Sequence, residues 1–252
     1  MEINDPPPTF NNMIDTPFEL LNKKSDLSPL PHGRGRGWVS ILANGEQPEH
    51  KIPLTLLQEA PYIVCCDGAI NYCDWADAVV GDGDSIPSWA REEYECIFHQ
   101  EDEQDDNDLT KATRFCLQKG FRRIVYLGAT GLREDHTLGN ISLLMRYAKE
   151  YGIEPLMVTN HGWFVPVIRD KESKHTPNTC EGVGGGLAFS SFPGQQVSIF
   201  NFGCTQLHTE GLKYDGYPFT SWWQGTLNEA TADHFRIVAD GDYLVFRTYE
   251  KK

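Results

Sequence analysis

Two aspartates separated by a glycine form the most chemically suggestive segment of the chain. Asp82 and Asp84 lie in the run Gly81-Asp82-Gly83-Asp84-Ser85, directly after the apolar residues 78–80. Two carboxylates in a loop freed by glycine can face one hard cation, and Mg²⁺ in proteins usually takes one or two carboxylates together with substrate phosphates. Because glycine and aspartate are also the commonest turn residues, a plain turn is the alternative.

A second acidic segment covers residues 101–108 and ends in Asp108. Its first acids fit a charged approach to a helix, which the helix dipole favours. Asp108 opens a helical pattern, and Lys111 follows one turn later on the same face. An aspartate for a metal ion beside a lysine for phosphate suits a polyphosphate ligand.

A glycine-rich turn precedes a third group of polar residues. Gly128-Ala129-Thr130-Gly131 leads into a helix predicted to begin near Glu134. Such a turn exposes backbone N–H groups that bind phosphate at a helix N-terminus, although it also occurs in ordinary strand-to-helix packing. Arg133 could neutralise phosphate charge. Asp135, next to His136, could cap the helix, bind a metal or accept a proton.

The charge balance restricts the class of ligand. The chain has 252 residues, with 36 Asp and Glu against 22 Lys and Arg, and its formal net charge is -14. Binding to a bare nucleic-acid backbone needs a surplus of cations, so nucleic acid is excluded as a partner. A nucleotide held through a cation is compatible with this charge.

Cysteine usage and hydropathy predict a cytoplasmic protein. The seven cysteines are odd in number and show neither a CxxC pair nor a Cys/His metal spacing, which fits buried thiols in a reducing compartment. No apolar run approaches the length of a membrane helix, and the first residues lack the basic start and apolar stretch of a secretory signal.

Apolar runs alternate with amphipathic helical patterns in the first two thirds of the chain. Strands are predicted at residues 39–43, 62–66, 78–80, 124–127 and 155–159. This alternation predicts crossover connections and a mostly parallel sheet. Several of these strands end in Gly or Asp, as at Asp67-Gly68, and parallel α/β sheets bind ligands beyond the carboxyl ends of their strands.

The last third of the chain has a different texture. Short strand-like runs at residues 197–200, 206–209, 235–238 and 243–247 are separated by turn residues, which predicts a small antiparallel β-sandwich. We therefore predict a flexible N-terminal tail over residues 1–37 with at most one short helix near residues 18–21. An α/β domain over residues 38–165 and a β-sandwich domain over residues 166–252 follow.

These motifs occur in the order found in one known family. The segments in the first half are Asp67-Gly68, residues 81–85, residues 104–111 and residues 131–136, and those in the second half are residues 209–214 and 225–228. The series resembles thiamine pyrophosphokinase over about residues 39–246. The resemblance implies that ATP donates its terminal pyrophosphate to thiamine, giving thiamine diphosphate and AMP. It also implies a homodimer whose active sites lie between the α/β part of one subunit and the sandwich of the other.

The resemblance gives each candidate residue a role. Asp82, Asp84 and Asp108 would hold Mg²⁺, while Lys111, Arg133 and Asp135 would complete the catalytic set. The remaining candidates for the nucleotide and phosphate site are Asp67, Gly68, Gln104, Gly128, Thr130, Gly131 and His136.

The candidates for thiamine lie in the second half. The resemblance places Thr226 and Asn228 near thiamine, and Leu227 stands where the family often has a serine. Thiamine carries a cationic thiazolium and a flat aminopyrimidine, so Trp222, or its neighbour Trp223, is a candidate for stacking. The alternative is that both tryptophans fill the sandwich core or a dimer interface.

Two rival functions are compatible with the same residues. Another Mg²⁺-dependent nucleotide hydrolase or transferase would turn over ATP without thiamine. A non-catalytic sensor would bind nucleotide or thiamine without releasing AMP. Lys111 and Arg133 favour an enzyme, because a sensor does not need groups that stabilise charge in a transition state.

Overall fold

The structure is a computed structural model that describes residues 13–14, 16–22, 37–84, 94–101, 106–169 and 186–251. In chain order its first elements are β1 (Met13–Ile14), α1 (Pro17–Asn22), β2 (Val39–Leu42), α2 (Lys51–Gln58), β3 (Ile63–Cys66), a 3₁₀ helix (Asp67–Tyr72), β4 (Ala78–Gly81), β5 (Phe98–Gln100), α3 (Asp108–Gln118), β6 (Arg123–Leu127), α4 (Glu134–Glu150) and β7 (Glu154–Val158). The later elements are β8 (Gly162–Val167), β9 (Leu187–Ser190), β10 (Gln195–Asn201), β11 (Leu207–Glu210), a second 3₁₀ helix (Trp222–Gly225), β12 (Asn228–Glu229), β13 (His234–Ala239) and β14 (Tyr243–Lys251).

One half of the largest sheet is parallel. Its strand order is β7-β6-β2-β3-β4-β5, and every neighbouring pair in this stretch is parallel. The chain builds outwards from β2 through β3, β4 and β5, and then returns to the other side of β2 with β6 and β7. The carboxyl ends of β2 and β6 therefore form the point where the strand order reverses, which is the usual ligand site of open α/β sheets.

The same sheet continues into the second half of the chain. β8 pairs antiparallel with β7, placing Phe164 opposite Met157, and β14, β10 and β12 then follow to give ten strands in the described residues. The domain boundary predicted at residue 165 falls inside β8, whose Val165 lies opposite Val245 of β14. Backbone hydrogen bonding is thus unbroken across the predicted boundary.

A second, smaller sheet covers part of the second half. Its order is β1-β9-β13-β11; β9, β13 and β11 are antiparallel, and the short β1 joins β9 in parallel. A mostly parallel α/β part followed by antiparallel sheets confirms the predicted fold class. The predicted strands at residues 197–200, 206–209, 235–238 and 243–247 correspond to β10, β11, β13 and β14.

Two hydrophobic cores lie on opposite faces of the large sheet. Alternation along β2 sends Ile41 to one core, which includes Leu109 of α3 and Leu144 of α4, and sends Leu42 to the other. That other core takes Leu56 of α2 and extends without interruption into the sandwich. Burial on both faces explains why β3 and β4 read as continuous apolar runs rather than alternating ones.

Part of the predicted N-terminal tail belongs to the fold. The helix predicted near residues 18–21 is α1, and its Phe18, Leu20 and Leu21 pack against the core that continues into the sandwich. The backbone of β1 pairs with β9. The apolar side chains of α1 are therefore partly buried by this core, as the hydrophobic effect favours.

No helix in the described part of the chain combines the length and apolar character needed to cross a membrane.

Candidate functional site

A cavity of about 340 Å³ opens at the carboxyl ends of β2, β3 and β6, where the strand order reverses. Its walls come from five places in the sequence that only the fold brings together. The lining residues are 43–45 after β2, 66–68 at the end of β3, 107–109 at the start of α3, 128–130 after β6, and 132, 133, 136, 137 and 140 at the start of α4. Of the predicted nucleotide-site residues, it gathers Asp67, Gly68, Asp108, Gly128, Thr130, Arg133 and His136.

The loops after β2 and β6 press directly against each other. The Gly45 N–H donates to Gly128 O over 2.7 Å, and the Glu46 N–H donates to Thr130 O over 2.7 Å. A Cβ atom at position 45 would lie 2.4 Å from Gly128 O, so a larger residue would force the loops apart. The glycine-rich turn is thus held by backbone hydrogen bonds to the loop after β2.

Asp67 connects the cavity to the loop that carries Asp82 and Asp84. Asp67 is 4% exposed and has a φ of 37°, a left-handed conformation that aspartate adopts more readily than most residues. The backbone of Gly81 abuts it, since a Cβ atom at position 81 would lie 2.8 Å from the Asp67 Cβ. Glycine at the start of the Gly-Asp-Gly-Asp run is therefore required by this close approach.

The two aspartates of that run lie next to the cavity lining rather than in it. Asp82 is half-buried and its Oδ1 accepts the Asp84 N–H over 3.1 Å, while Asp84 is exposed. This hydrogen bond holds the two residues in one turn. One Asp82 oxygen is used in shaping the loop.

Asp108 and Lys111 form the charged pair that the helical spacing predicts. Asp108 is the first residue of α3, and the Lys111 Nζ lies 3.4 Å from its Oδ1. The lysine side chain is only 3% exposed, whereas the aspartate side chain is 43% exposed and borders the cavity. Burial, followed by the nearby Asp108 carboxylate, raises the pKa of the Cys66 thiol at the end of β3. The cation thus stands behind the carboxylate, on the side away from solvent.

Arg133 and Asp135 bind each other at the mouth of the cavity. The Arg133 Nε donates to Asp135 Oδ1 over 3.1 Å, and its Nη2 donates to Oδ2 over 2.6 Å. Both side chains are exposed, and the guanidinium lowers the pKa of the Asp135 carboxyl. Arg133 and the exposed His136 line the cavity, while Asp135 and Gly131 do not. Asp135 therefore acts here as the partner that orients Arg133.

Two asparagines that the sequence analysis did not select link the walls of the cavity. The Asn107 Nδ2 donates to Asn140 Oδ1 over 3.0 Å, and the Asn140 Nδ2 donates to Ala129 O over 2.8 Å. We call this pair of side chains the amide bridge. Asn107 is also the N-cap of α3, a position where asparagine is strongly preferred, so its local role was readable from the sequence.

The chemistry of the carboxylates fits a hard divalent cation. Within the described ranges, no three His, Cys, Asp or Glu side chains converge closely enough to form a metal centre of protein ligands alone. Mg²⁺ does not require such a centre, because it usually keeps several waters and binds one or two carboxylates together with phosphates. Asp108 at the cavity, with Asp82 and Asp84 on the loop beside Asp67, supplies this type of donor. Gln104 lies outside the residues that the structure describes.

The predicted thiamine residues of the second half use their polar groups internally. The Thr226 hydroxyl donates to Trp223 O over 2.7 Å. Asn228 is buried; its Oδ1 accepts the Tyr214 N–H over 3.1 Å and its Nδ2 donates to Tyr214 O over 2.8 Å. These hydrogen bonds fix the backbone at Tyr214, so Asn228 supports this segment from the buried side.

Several large aromatic or apolar side chains of the same region are exposed. Trp222 packs against Phe200 and Phe202 with ring centroids 5.8 and 5.5 Å apart, whereas Trp223 is 75% exposed. Leu227 is 66% exposed and has a φ of 63°, a conformation that strains a residue with a branched side chain. We call Tyr214, Tyr217, Trp222, Trp223 and Leu227, all substantially exposed, the aromatic surface.

Two family models match the two halves of the chain. Residues 54–154 match the model described as thiamin pyrophosphokinase, catalytic domain, and residues 183–246 match the one described as thiamin pyrophosphokinase, substrate-binding domain. The first match contains Asp67, Asp82, Asp108 and Arg133, and the second contains the aromatic surface. Together they cover well over half of the chain.

Individual relatives agree with these matches. The chain is 33% identical to Thiamin pyrophosphokinase 1 of Caenorhabditis elegans over 105 residues, which are 36% of this chain and 43% of that relative's length. Among solved structures, yeast thiamin pyrophosphokinase is similar with a TM-score of 0.70 at 16% identity, covering 95% of this chain and 92% of that one. Thiamine pyrophosphokinase from Bacillus subtilis is similar with a TM-score of 0.66 at 20% identity, covering 84% and 98%. At these identities the solved structures support the fold.

Proposed function

The chain belongs to the thiamin pyrophosphokinase family, and we propose that it transfers the terminal pyrophosphate of ATP to the hydroxyl of thiamine. The products are thiamine diphosphate and AMP. The observation that carries this proposal is the cavity where the strand order reverses, which combines a glycine-rich turn, Asp108 and Arg133 within the stretch that matches the catalytic-domain model. Such a cavity suits a nucleotide with its phosphates at the N-terminus of α4.

The phosphate chain would lie near three positively charged or polarised groups: the first turn of α4, Arg133 and Lys111. The Arg133 side chain has no acceptor and cannot cap α4, and the Asp135 carboxylate accepts the His136 N–H. The N–H groups of residues 134 and 135 could therefore face an anion. Arg133 borders the cavity, and Lys111 stands behind Asp108. Fixed cations of this kind stabilise the charge that develops on the transferred group and on the leaving AMP.

Magnesium is the cofactor that these carboxylates suit. We propose Asp82, Asp84 and Asp108 as its protein ligands. When bound, the ion would neutralise phosphate charge and orient the phosphate oxygens. The side chains themselves keep the negative charge in place: Asp82 is fixed by the Asp84 N–H, and Asp108 is fixed beside Lys111.

The proposed transfer is a single in-line displacement. The thiamine hydroxyl oxygen forms a bond to the β-phosphorus, the bond from that phosphorus to the bridging oxygen of AMP breaks, and a base accepts the hydroxyl proton. Because Arg133 lowers the pKa of Asp135, this aspartate is a weak base. We therefore propose that Asp135 serves to orient Arg133.

Thiamine is proposed to bind at the aromatic surface. A flat ring and a cationic thiazolium both suit exposed tryptophan, and Trp223 offers most of its surface to solvent. We further propose a cytoplasmic homodimer in which the aromatic surface of one subunit faces the cavity of the other. An exposed apolar surface of this kind is typical of a protein interface or a ligand groove.

One assay separates this activity from the rivals. The purified protein is incubated with ATP, Mg²⁺ and thiamine, and the products are separated by chromatography. AMP and thiamine diphosphate should form in equal amounts and only when all three components are present. ADP or phosphate without thiamine would indicate a hydrolase, and binding without AMP would indicate a sensor. Replacing Asp108→Asn should abolish most of the activity, whereas unchanged turnover would contradict its role.

A further inference from the structure

We propose that Asn107 and Asn140 are positioning residues that set the spacing between two walls of the cavity, one that would hold the cation and one that would bind phosphate. One wall is the start of α3, with Asp108 and Lys111; the other is the turn after β6. The inference rests on the proposed function, since it concerns the same cavity, but the geometry that supports it is independent of the identity of the acceptor.

The amide bridge is a continuous series of hydrogen bonds across the cavity. The Thr110 N–H donates to Asn107 Oδ1 over 3.0 Å, the Asn107 Nδ2 donates to Asn140 Oδ1 over 3.0 Å, and the Asn140 Nδ2 donates to Ala129 O over 2.8 Å. These bonds join the start of α3 to α4, 33 residues further along the chain, and join α4 to the turn that precedes it. Both asparagines line the cavity.

The orientation of each amide is determined by its outer neighbour. A backbone N–H can only donate, so the Asn107 oxygen must face Thr110 and its nitrogen must face Asn140. A backbone carbonyl can only accept, so the Asn140 nitrogen must face Ala129. Each asparagine therefore presents a donor and an acceptor in a fixed order, and neither serine nor leucine can replace both functions.

The inner end of the bridge is anchored in the core. The Thr110 hydroxyl donates to the Asn107 Oδ1 over 2.9 Å and lies 2.7 Å from the hydroxyl of Tyr147, which is fully buried. Asn140 is 8% exposed although it lies on a helix at the cavity. Asn107 itself is exposed, but its partners Asn140 and Thr110 are buried. Buried polar groups with satisfied hydrogen bonds are costly to disturb, so these partners hold the bridge at a fixed length.

One end of the bridge lies beside the carboxylate that would hold the cation, and the other lies in the turn that would bind phosphate. Asn107 directly precedes Asp108, and Ala129 lies between Gly128 and Thr130 in the glycine-rich turn. A substitution of either asparagine would shift one wall relative to the other without removing any charged side chain of the site. Misplacement of reacting groups by about 1 Å can cost about 100-fold in rate.

Two variants test the bridge, and their combination tests it more sharply. Asn107→Ser keeps a side-chain cap for α3 but cannot reach Asn140, and Asn140→Leu keeps volume and helix propensity but removes both bonds. Each should lower kcat/KM for ATP by about 10- to 100-fold, while KM for thiamine changes by less than about twofold. The kcat/KM of the double variant should be within about threefold of that of the less active single variant. The losses of two residues in one network do not add, because the second substitution acts on a bridge that the first has already broken.

Thr113→Val is the matched control for lost stability. The Thr113 hydroxyl donates to Leu109 O over 2.7 Å and lies 2.9 Å from the Tyr126 hydroxyl, in α3 but away from the cavity lining. It should lower the melting temperature much as the bridge variants do and leave kcat/KM unchanged. The inference is overturned if Thr113→Val loses as much activity, if the bridge variants stay within about twofold of the unaltered protein, or if the double variant loses the product of the single losses.

Calorimetry with a non-hydrolysable ATP analogue and Mg²⁺ separates this inference from the proposed function. If the unaltered protein makes no thiamine diphosphate but binds the analogue, the acceptor is wrong and the bridge is still tested. The bridge variants should then bind at least about tenfold more weakly. Unchanged affinity would overturn the inference, and absence of nucleotide binding by the unaltered protein would overturn both.

Discussion

The two halves of the molecule prepare for ligands in opposite ways. The α/β half encloses polar groups in a cavity whose loops are fixed by backbone contacts and by the amide bridge. In the sandwich half, the polar side chain of Asn228 is buried, whereas the side chains of Trp223 and Leu227 are exposed. The α/β half therefore presents a preformed polar site. The sandwich half presents an apolar surface whose burial by a ligand or another subunit would be favourable. The comparison predicts that substitutions in the first half will change the rate of transfer, while those in the second will change affinity for the acceptor or stability.

Lys111→Met should produce the largest loss of activity and is the strongest test of the site in the α/β half. Met keeps the length of the buried side chain but removes the charge that holds Asp108 in place, so kcat should fall by about 100-fold, the cost of misplacing a reacting group. Steady-state measurement of AMP formation gives this value. The control Lys119→Met changes an exposed lysine at the end of the same helix and should be close to neutral. Comparable losses in both variants would remove Lys111 from the site.

Arg133→Lys should lower kcat/KM for ATP by about 10- to 100-fold, because an ammonium cannot reproduce the two-pronged contact of a guanidinium. The pKa of Asp135 is lowered by Arg133, so the pair is intact above the ordinary carboxyl range and is lost only as the pH falls through the lowered pKa. The rate ratio between Arg133→Lys and the unaltered protein should thus be constant from neutral pH down to about pH 5. A ratio that drifts across this range would assign the effect to another group.

The two tryptophans should separate affinity from stability in the sandwich half. Trp223→Ala should raise KM for thiamine by about 3- to 30-fold through loss of a stacking face, with stability changed by less than about 0.5 kcal/mol. Trp222→Ala should lower the free energy of unfolding by about 1–3 kcal/mol, because Trp222 packs against Phe200 and Phe202. Thiamine titrations and urea denaturation measure the two effects. The reverse pattern would make Trp222 the stacking residue.

Leu227→Gly should have the smallest effect and should be stabilising. Glycine relieves the left-handed strain at a φ of 63°, and after its greater loss of chain entropy the net gain is about 0.5–1 kcal/mol. Leu227→Ala shortens the same side chain but keeps the strain, so it should give no gain and serves as the control. Thermal denaturation of the two variants decides; equal melting temperatures would show that the backbone at this position relaxes without glycine.

Local sequence patterns were sufficient to predict most strands and helices of the α/β half. The apolar runs predicted β2, β3, β4, β6 and β7, and the helix starts at Asp108 and Glu134 are where the polar patterns indicated. The site could be predicted only as a general location at the strand ends. Its actual walls depend on the order of the strands, in which β6 returns beside β2, and no local pattern contains this order.

Periodicity was misleading where a helix borders the cavity. The apolar pattern of α4 suggests that Leu138 faces the core, yet Leu138 is 56% exposed and the polar Asn140 is buried. Asn140 satisfies its amide through Asn107 and Ala129, partners that only the tertiary structure supplies. β8 was missed for a related reason: it contains Pro166, and its pairing with β14 joins residues far apart in the sequence.

The unbroken ten-stranded sheet has a consequence for how the protein is made. β8 ends at Val167 and its partner β14 begins only at Tyr243, so the α/β half leaves the ribosome with an open sheet edge. At about 5–20 residues per second, that edge waits on the order of several seconds for its partner. An unpaired edge is a template for association with other chains, and Trp163 and Val165 would be uncovered along it. The nascent chain is therefore most vulnerable to aggregation, and most in need of a chaperone, after the α/β half has folded and before β14 has been synthesised.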